Sequence, residues 1–387
     1  MKFLHVADLH LGKVVNDFSM LEDQKFILEQ ISGMAKANQV DAVVIAGDIY
    51  DRAIPPGEAV TLLDSFLNEL TGMGIQVIMI SGNHDSPERI SFGENLLGRQ
   101  GVHISGLKKD KLTRVVFEEK ACVSEFLLLP FVKPAQLGVR TSHEAVELLL
   151  DGYWQEEDKK KHKNRVLVTH FFVTDGGKEP ELSDSETTIH VGGLDNVDAS
   201  LFQGFDYVAL GHIHKPQQIG SRPVWYAGSP LKYSFGETGQ TKEALLVSLG
   251  EAGLAEVKEL PLRPLREMRK IEGNLKEILE GAMEDSVEKK GQRQDYIQAV
   301  LTDEGELIDP IGTIRSVYPN VMQIVRKEME SISDKNVISE NRSRMHAGQR
   351  DVLSLFEAFY QEVRQTQLSE ESKNVVTDIV KELEGKE

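Results

Sequence analysis

The sequence predicts an α/β fold in which short buried strands alternate with amphipathic helices. Over the first two-thirds of the 387 residues, short apolar runs rich in β-branched residues alternate with stretches whose apolar residues recur every three or four positions. The runs themselves are almost wholly apolar, which is typical of strands covered on both faces. We therefore expect a sheet core with helices packed against it.

The predicted strands of this core are short apolar runs. They lie at residues 2–7, 42–46, 76–80, 126–129, 166–169, 206–210, 224–226 and 244–248. Helices are predicted at residues 21–37 and 58–71, between the first three strands, because their apolar residues recur at helical spacing.

Two prolines, Pro261 and Pro264, interrupt this pattern and indicate a domain boundary. We expect a first domain at residues 1–262 and a small α/β unit at 263–330. The predicted elements of that unit are helix 275–284, strand 296–301, helix 309–317 and strand 321–325. A polar linker is expected at 331–345. The segment 346–387 is expected to form two amphipathic helices, whose apolar faces pack either on the chain itself or on a partner.

Charge and cysteine content limit the possible functions. The formal net charge of −18 argues against a nucleic-acid partner unless the basic contacts are local, because phosphate contacts need Lys and Arg. The single cysteine, Cys122, excludes an internal disulfide and a multi-cysteine zinc site, and it favours a reducing cytoplasm. No apolar run approaches the roughly 20 residues of a membrane span. We expect a cytoplasmic protein that does not enter a membrane.

Four polar motifs and one histidine each follow directly after a predicted strand. They are Asp8-Leu9-His10, Gly47-Asp48-Ile49-Tyr50-Asp51, Gly82-Asn83-His84-Asp85, Gly211-His212-Ile213-His214 and the lone His170. In open α/β sheets the carboxyl ends of strands converge on one crevice, so these residues are expected to meet. A glycine just before a ligand allows the sharp turn that brings a short side chain onto a metal.

The residue types fit a pair of divalent metals held without thiolate. Carboxylate, amide oxygen and imidazole together suit manganese, iron or zinc more than calcium. One ion is expected to take Asp8, His10, Asp48 and His214. The other is expected to take Asp48, Asn83, His170 and His212, so that Asp48 bridges both. A water between two such ions loses a proton readily, and the ions neutralise phosphate oxygens as charge develops.

Two further residues are expected to act beside the metals. His84 is not needed as a ligand and is placed to donate a hydrogen bond to the phosphate or a proton to the leaving oxygen. Asp85 is expected to orient His84 and favour its charged form.

Each motif taken alone has a plain structural explanation. Gly-Asn-His-Asp is rich in turn-forming residues, His170 alone is more simply a hydrogen-bonded core histidine, and Asp-x-His occurs by chance in most proteins. The joint pattern, with every motif at a strand end, favours a site.

The order of the motifs resembles that of the calcineurin-like metallophosphoesterase family. The resemblance is closest to its SbcD branch of Mre-type nuclease subunits and extends over nearly the whole chain. Beyond the metal motifs it is carried by Pro55-Pro56 and by residues 81–86, 205–217 and 228–235. It implies a β-sandwich flanked by helices, with residues 263–330 as a capping domain and 346–387 as helices that dock on a partner.

The resemblance also implies an activity and partners. The expected activity is a DNA exonuclease and endonuclease with two Mn²⁺ per chain, acting on ends and hairpins in repair, recombination and replication. The expected partner is an SbcC-like coiled-coil ATPase, with a homodimer of this chain inside a heterotetramer. In one respect the sequence departs from archaeal and eukaryotic relatives, which have a His three residues after the bridging Asp where this chain has Asp51. The role of Asp51 stays open.

Several residues beside the motifs are candidates for DNA contact. They are Arg52, Arg89, Lys215, Lys232 and Tyr233. The cations suit phosphate, and Tyr233 with Phe235 suits stacking on an unpaired base, although either aromatic residue is also a plausible core residue.

Two other functions compete with the nuclease hypothesis. A phosphatase or phosphodiesterase for small esters or cyclic nucleotides would keep the same metal site, but it would have no use for the C-terminal segment. A non-catalytic scaffold with a relict site would be free to lose ligands, whereas all seven and His84 are present.

Overall fold

The structure is a computed structural model that describes residues 1–118, 123–156, 164–183, 194–251, 253–282, 292–303, 305, 307–327, 360, 372–373 and 375–377. It divides into one unit at Met1–Lys327 and another at Glu328–Glu387. Every element named below belongs to the first unit. The predicted linker 331–345, most of the predicted helical segment 346–387, and Cys122 lie outside the described residues.

The strands of the first unit are numbered in chain order. They are β1 (Lys2–Val6), β2 (Val14–Val15), β3 (Phe18–Ser19), β4 (Ala42–Ala46), β5 (Gln76–Ile80), β6 (Val102–Ser105), β7 (Thr113–Glu118), β8 (Val123–Leu129), β9 (Asn164–His170), β10 (Phe172–Thr174), β11 (Asn196–Asp198), β12 (Tyr207–Gly211), β13 (Gln217–Gln218), β14 (Val224–Tyr226), β15 (Glu243–Gly250), β16 (Gly253–Pro261), β17 (Met268–Gly273), β18 (Tyr296–Leu301) and β19 (Val321–Arg326). The helices are α1 (Leu21–Ala37), α2 (Gly57–Gly72), α3 (Pro87–Ile90), α4 (Glu94–Gly98), α5 (Ser142–Glu156), α6 (Leu275–Ala282) and α7 (Pro310–Arg315).

Two six-stranded sheets make up the core. The first has the order β16-β15-β1-β4-β5-β6, and its strands β1, β4, β5 and β6 run parallel. The second has the order β13-β14-β12-β9-β8-β7, in which β14, β12, β9 and β8 run parallel. The parallel strands in the middle of each sheet therefore end at a common edge, which is where ligands bind in α/β folds.

The two sheets face each other across a shared apolar core. Val44 and Ile78 of the first sheet belong to the same buried cluster as Phe126, Val168 and Ala209 of the second. Helices cover the outer faces: α1 and α2 belong to the buried cluster that includes Leu4 and Ile45, and α5 packs on the second sheet. This is the helix-flanked sandwich that the family resemblance implied, and burial on both faces explains why the central strands are apolar throughout.

A separate three-stranded sheet, β17-β18-β19, follows the sandwich and carries α6 and α7. Polar contacts tie it to α1. Arg266 pairs with Asp23 at 2.6 Å, and the hydroxyl of Tyr296 donates to Asp23 at 2.7 Å. The boundary predicted between residues 262 and 263 falls in the connection from β16 to β17, although both sides belong to the unit Met1–Lys327.

The elements that the sequence analysis missed are mainly edge strands. β7 and β16 lie at the edges of the two sheets and carry exposed charged residues, so they lack the apolar run used to find strands. β6 and β17 were also missed, and so was α5, although its buried Val146, Leu150 and Tyr153 recur at helical spacing. In the described residues no helix is long and apolar enough to cross a membrane.

Candidate metal centre

All seven predicted ligands lie together at the carboxyl ends of the central strands of both sheets. Asp8 and His10 follow β1, Asp48 follows β4, Asn83 follows β5, His170 ends β9, and His212 and His214 follow β12. Atoms of Asp8, His10 and His214 lie within 4.8 Å of one another, and so do atoms of Asp8, Asp48 and His170. The sandwich thus brings together residues more than 200 positions apart.

The ligand atoms form two adjoining groups. In the first, the Nε2 atoms of His10 and His214 are 3.2 Å apart. In the second, Oδ1 of Asn83 lies 3.0 Å from Nε2 of His170 and 3.1 Å from Nδ1 of His212. Asp48 lies between the groups, with its Oδ2 atom 3.7 Å from His10 and 3.4 Å from His170.

These spacings fit atoms that share an ion. Imidazole nitrogens bind Zn²⁺ at about 2.0–2.1 Å, so two ligand atoms at ordinary bond angles lie about 3.0–3.4 Å apart. The pairs His10–His214, Asn83–His170 and Asn83–His212 all fall in this range. Imidazole, carboxylate and amide oxygen are also a donor set for a transition metal, so the residues present fit a pair of metal ions.

Added positive charge would stabilise the buried carboxylates of the cluster. Asp8 is fully buried, and burial raises its pKa to about 7 against the opposing effect of His170 and His214. Although burial acts to raise the pKa of Asp48, the neighbouring His170 holds that pKa well below its ordinary value. His170 is itself buried, yet Asp48 raises its pKa to about 9. A divalent cation among these carboxylates would offset the cost of burying them.

The backbone that carries the ligands is strained. Asp8, His10, Asp48 and His212 have φ values of 52°, 45°, 49° and 103°, in the left-handed region that few non-glycine residues adopt. Such conformations cost on the order of 1–3 kcal/mol each and persist where the surroundings enforce them. Here buried Gln24 of α1 supports the Asp8–His10 loop by donating to the His10 carbonyl at 2.7 Å.

Glycines allow the strand ends to approach this closely. A Cβ on Gly82 would lie 2.1 Å from Oδ1 of Asp48 and 2.4 Å from its backbone nitrogen. A Cβ on Gly211 would lie 2.0 Å from the carbonyl oxygen of Ala46. The glycines at these two positions are therefore required by close packing, and not by the sharp turn that the sequence analysis expected.

Comparisons with known proteins identify the family of the chain. Residues 1–216 match the calcineurin-like phosphoesterase family, and residues 264–364 match the family described as the type 5 capsule protein repressor C-terminal domain. The chain is 32% identical over 394 residues to the SbcD component of the nuclease SbcCD of Staphylococcus epidermidis, covering 99% of this chain and 98% of that protein. The chain belongs to the SbcD family of calcineurin-like phosphoesterases.

A second relative, the SbcD component of the nuclease SbcCD of Staphylococcus saprophyticus, is 32% identical to the chain over 348 residues. That alignment covers 87% of this SbcD-family chain and 88% of the relative. Among solved structures, the chain is similar to a dimetal phosphatase from Danio rerio, with 14% identity and a TM-score of 0.39. The match covers 68% of this chain and 98% of that protein.

In this SbcD-family chain His84 lies beside the predicted ligands, but the group that orients it is Asp51 and not the predicted Asp85. Its Nδ1–H donates to the backbone carbonyl of Asp51 at 3.0 Å, and its Nε2 lies 3.9 Å from Oδ2 of Asp48. The side chain is 38% exposed, so its ring faces both the ligand cluster and the solvent where a substrate would enter. Asp51 thus contributes to the site through its backbone.

The predicted role of Asp85 is wrong. Its carboxylate accepts the backbone N–H groups of Ile49, Tyr50 and Gly82 at 3.1, 2.9 and 2.9 Å, and none of these contacts involves the His84 imidazole. Burial, together with Asp48, raises the pKa of Asp85 to about 6. Asp85 holds the loop after β4 against the loop after β5, and so it positions two ligand loops.

The side chains proposed to contact DNA differ in their exposure and in whether they pair with an acidic neighbour. Arg52 is 73% exposed, with its Nε 3.6 Å from Asp51, and Arg89 is exposed. Lys215 pairs with Glu181, and Lys232 donates to Glu267 at 2.8 Å. Each of these two lysines is therefore partly neutralised by an acidic neighbour.

The suggestion that Tyr233 and Phe235 stack on DNA bases does not fit their burial. Both rings are buried, and the Tyr233 hydroxyl donates to the carbonyl of Leu9 at 2.5 Å. Tyr233 therefore supports the loop that carries Asp8 and His10, which is the core role that the sequence left as the alternative.

The sequence analysis did not identify the residues that orient the histidines in the SbcD-family site. The Nδ1–H of His170 donates to the carbonyl of Ala46 at 2.8 Å. The Nδ1 of His214 lies 3.3 Å from Oε1 of Glu237, a buried carboxylate. Burial opposes ionisation of Glu237, but His214 and Lys242 lower its pKa to about 2. The only sequence signal was that Glu237 lies two residues after residues 228–235, a stretch that resembles the family.

Proposed function

We propose that this chain is the nuclease subunit of an SbcCD-type complex, a phosphodiesterase that uses two Mn²⁺ ions to cut DNA ends and hairpins. The observation that supports the proposal most directly is the convergence of the seven predicted ligands, five buried and two half-buried, from two sheets in two adjoining groups. Near full-length similarity to proteins named as the SbcD component of the nuclease SbcCD supports the substrate class.

The chain's own residues have distinct parts in this reaction. When bound, a pair of divalent ions supplies Lewis acidity that activates water and neutralises phosphate charge. In our assignment Asp8, His10 and His214 would hold one ion, Asn83, His170 and His212 would hold the other, and Asp48 would contribute to both. His84 donates from its Nε2 to the phosphate or to the leaving oxygen. Because Nδ1–H donates to the Asp51 carbonyl, Nε2 carries a proton to donate only when the imidazole is protonated, so His84 acts in this role as the imidazolium.

Partner and location belong to the same proposal. An SbcC-like coiled-coil ATPase would dock on the C-terminal segment, and two copies of this chain would form a homodimer within a heterotetramer in the cytoplasm, with functions in DNA repair and recombination. Similarity of residues 264–364 to a C-terminal domain family, and the names of the relatives, support the partnership. With a net charge of −18, the chain depends on local cations or on the partner for DNA affinity.

The test compares His84→Ala with the wild-type chain in cleavage of end-labelled duplex and hairpin DNA with Mn²⁺, with and without the ATPase. We expect cleavage to fall by about 10²–10⁴-fold, because a positioned acid contributes about that much. Mn²⁺ binding should be retained. Wild-type cleavage by the variant would exclude the role of His84, and a wild-type protein that cuts only small phosphate esters would exclude the nuclease proposal.

A second substrate separates the two roles open to His84. Bis-p-nitrophenyl phosphate has a leaving group that needs no proton, whereas the alkoxide leaving group of DNA does. If His84 protonates the leaving oxygen, His84→Ala should lose much more activity on DNA than on this ester. Equal losses would assign His84 to hydrogen bonding with the phosphate instead.

A further inference from the structure

A buried pair of opposite charges, Glu237 and Lys242, lies behind His214. Glu237 is fully buried and Lys242 is 4% exposed. The desolvation of two charges costs several kcal/mol per ion, which their mutual attraction recovers only with good geometry and further hydrogen bonds. Neither residue is a predicted metal ligand, so the site provides no direct reason for them.

The contacts of the pair converge on His214. Lys242 Nζ donates to Oε2 of Glu237 at 2.7 Å and to the backbone carbonyl of His214 at 2.8 Å. It also donates to Ser229 Oγ at 3.0 Å and to Gln240 Oε1 at 2.8 Å. The other Glu237 oxygen, Oε1, lies 3.3 Å from Nδ1 of His214. The lysine thus fixes both the carboxylate and the backbone of the histidine.

This geometry determines which nitrogen of His214 carries its proton. A carboxylate paired with Lys242 can only accept hydrogen bonds, so Nδ1 of His214 must be protonated to donate to it. The lone pair then lies on Nε2, which is the atom 3.2 Å from Nε2 of His10. His170 is oriented by a backbone carbonyl instead, which no side-chain substitution removes.

We propose that Glu237 and Lys242 are positioning residues that hold His214 in the Nδ1–H form and so tune one of the two metal sites. This rests on the proposed two-metal function. The affected site is the one that His214 shares with Asp8 and His10. The site built on Asn83, His170 and His212 does not depend on the pair. Partners that orient a metal-bound histidine typically change metal affinity by about 10- to 100-fold.

The experiment is a calorimetric titration of metal-free full-length chain with Mn²⁺ alone. The wild type should bind two ions. Glu237→Gln should bind one ion with wild-type affinity and the other about 10- to 100-fold more weakly. Glu125→Gln is the matched control, because Glu125 is also buried and pairs with a cation, Arg114, at 2.6 Å. It contacts none of the predicted ligands in the described contacts, and both ions should bind as in the wild type.

In Glu237→Gln the buried charge of Lys242 loses its carboxylate partner. The double variant Glu237→Gln/Lys242→Met is therefore titrated as well. It removes the buried charge and should show the same selective loss. A folded variant that binds both ions as the wild type does, or that loses affinity equally at both, would overturn the proposal. A wild type that binds no pair of ions would overturn the proposed function instead.

The tautomer of His214 can also be measured directly in the wild-type chain, so this test does not require any variant to fold. Long-range ¹H–¹⁵N correlation spectra of the metal-free chain report the tautomer of each histidine. We expect His214 in the Nδ1–H form. Observation of the Nε2–H form would contradict the proposal even if every variant were unstable.

Discussion

The ligand cluster and the basic residues at its rim are built in opposite ways. The seven ligands are short side chains at strand ends, held by glycine contacts, by backbone hydrogen bonds and by buried partners such as Gln24 and Glu237. The rim residues are long cations on loops and, for Arg89, on the short helix α3. Arg52 is largely exposed, while Lys215 and Lys232 are paired with acidic neighbours. The cluster is pre-organised, whereas the rim cations are either exposed or paired with acidic neighbours.

This difference indicates which part of the protein determines the metal chemistry and which part determines DNA binding. Metal chemistry needs atoms placed within fractions of an ångström, which the packed sandwich supplies. Recognition of a polyanion needs mainly charge near the entrance, and its strength depends on salt. Substitutions in the cluster should therefore change the chemical step, whereas substitutions at the rim should change binding. The predictions below test that contrast.

The largest effect is expected for Asp48→Asn. Asp48 lies between the two ligand groups, so the substitution weakens both metal sites together. Metal ions contribute several kcal/mol to such reactions, and each 1.36 kcal/mol is tenfold in rate, so cleavage should fall by more than about 10³-fold. Single-turnover DNA cleavage and metal content measure the effect. Asp175→Asn is the control, because Asp175 pairs with Arg222 and contacts none of the predicted ligands in the described contacts. Retention of both ions and of the rate would contradict the bridging assignment.

The next effect is expected for Gly82→Ala. The added Cβ would lie 2.1 Å from Oδ1 of Asp48, so the loops after β4 and β5 must separate. A misplacement of about 1 Å costs about 10²-fold in rate. Gly33→Ala is the matched control because Gly33 is exposed inside α1 with no atom within 4 Å of its Cβ position. It should keep its activity and gain up to about 1 kcal/mol of stability in denaturant unfolding. Equal activity of the two variants would contradict this explanation.

The convergence of the seven predicted ligands could be foreseen from sequence because each stands at the end of an apolar strand, six of them in short polar motifs and His170 alone. The central strands could be predicted for the same reason, since strands buried on both faces are apolar throughout. Edge strands such as β16 carry charged residues, and nothing in their pattern distinguishes them from loops.

The supporting residues could not be predicted, because their partners are distant in sequence. Gln24 supports the His10 loop from α1, and Tyr233 reaches Leu9 from 224 positions away. For Asp85 the prediction failed for the opposite reason, because a neighbour in sequence was taken as a partner in space. Asp85 is adjacent to His84 in sequence, but its carboxylate points to the backbone of Ile49 and Tyr50. Proximity in sequence says little about where a side chain in a turn points.

A smaller effect is expected for Lys13→Met. Lys13 pairs with Asp51 at 2.6 Å, and the Asp51 carbonyl holds His84. Loss of the pair should loosen His84 and lower DNA cleavage by about tenfold, equivalent to about 1.4 kcal/mol. Cleavage of bis-p-nitrophenyl phosphate tests whether the loss follows that of His84→Ala on both substrates. Lys25→Met, at a surface pair with Glu29, is the control. A loss pattern unlike that of His84→Ala would show that Lys13 acts on substrate directly.

The smallest effect on chemistry is expected at the rim, for Arg52→Gln and Arg89→Gln. Both arginines are exposed beside the site, and neither contacts a predicted ligand in the contacts described above. If each contacts one phosphate, its loss should reduce the slope of log affinity against log salt by about 0.9 on duplex DNA, while the rate at saturating DNA stays unchanged. Lys215→Gln should change the slope less, because Glu181 already partly neutralises that lysine. A larger change for Lys215 than for the arginines would mean that DNA displaces Glu181, and the rim would then be rearranged on binding.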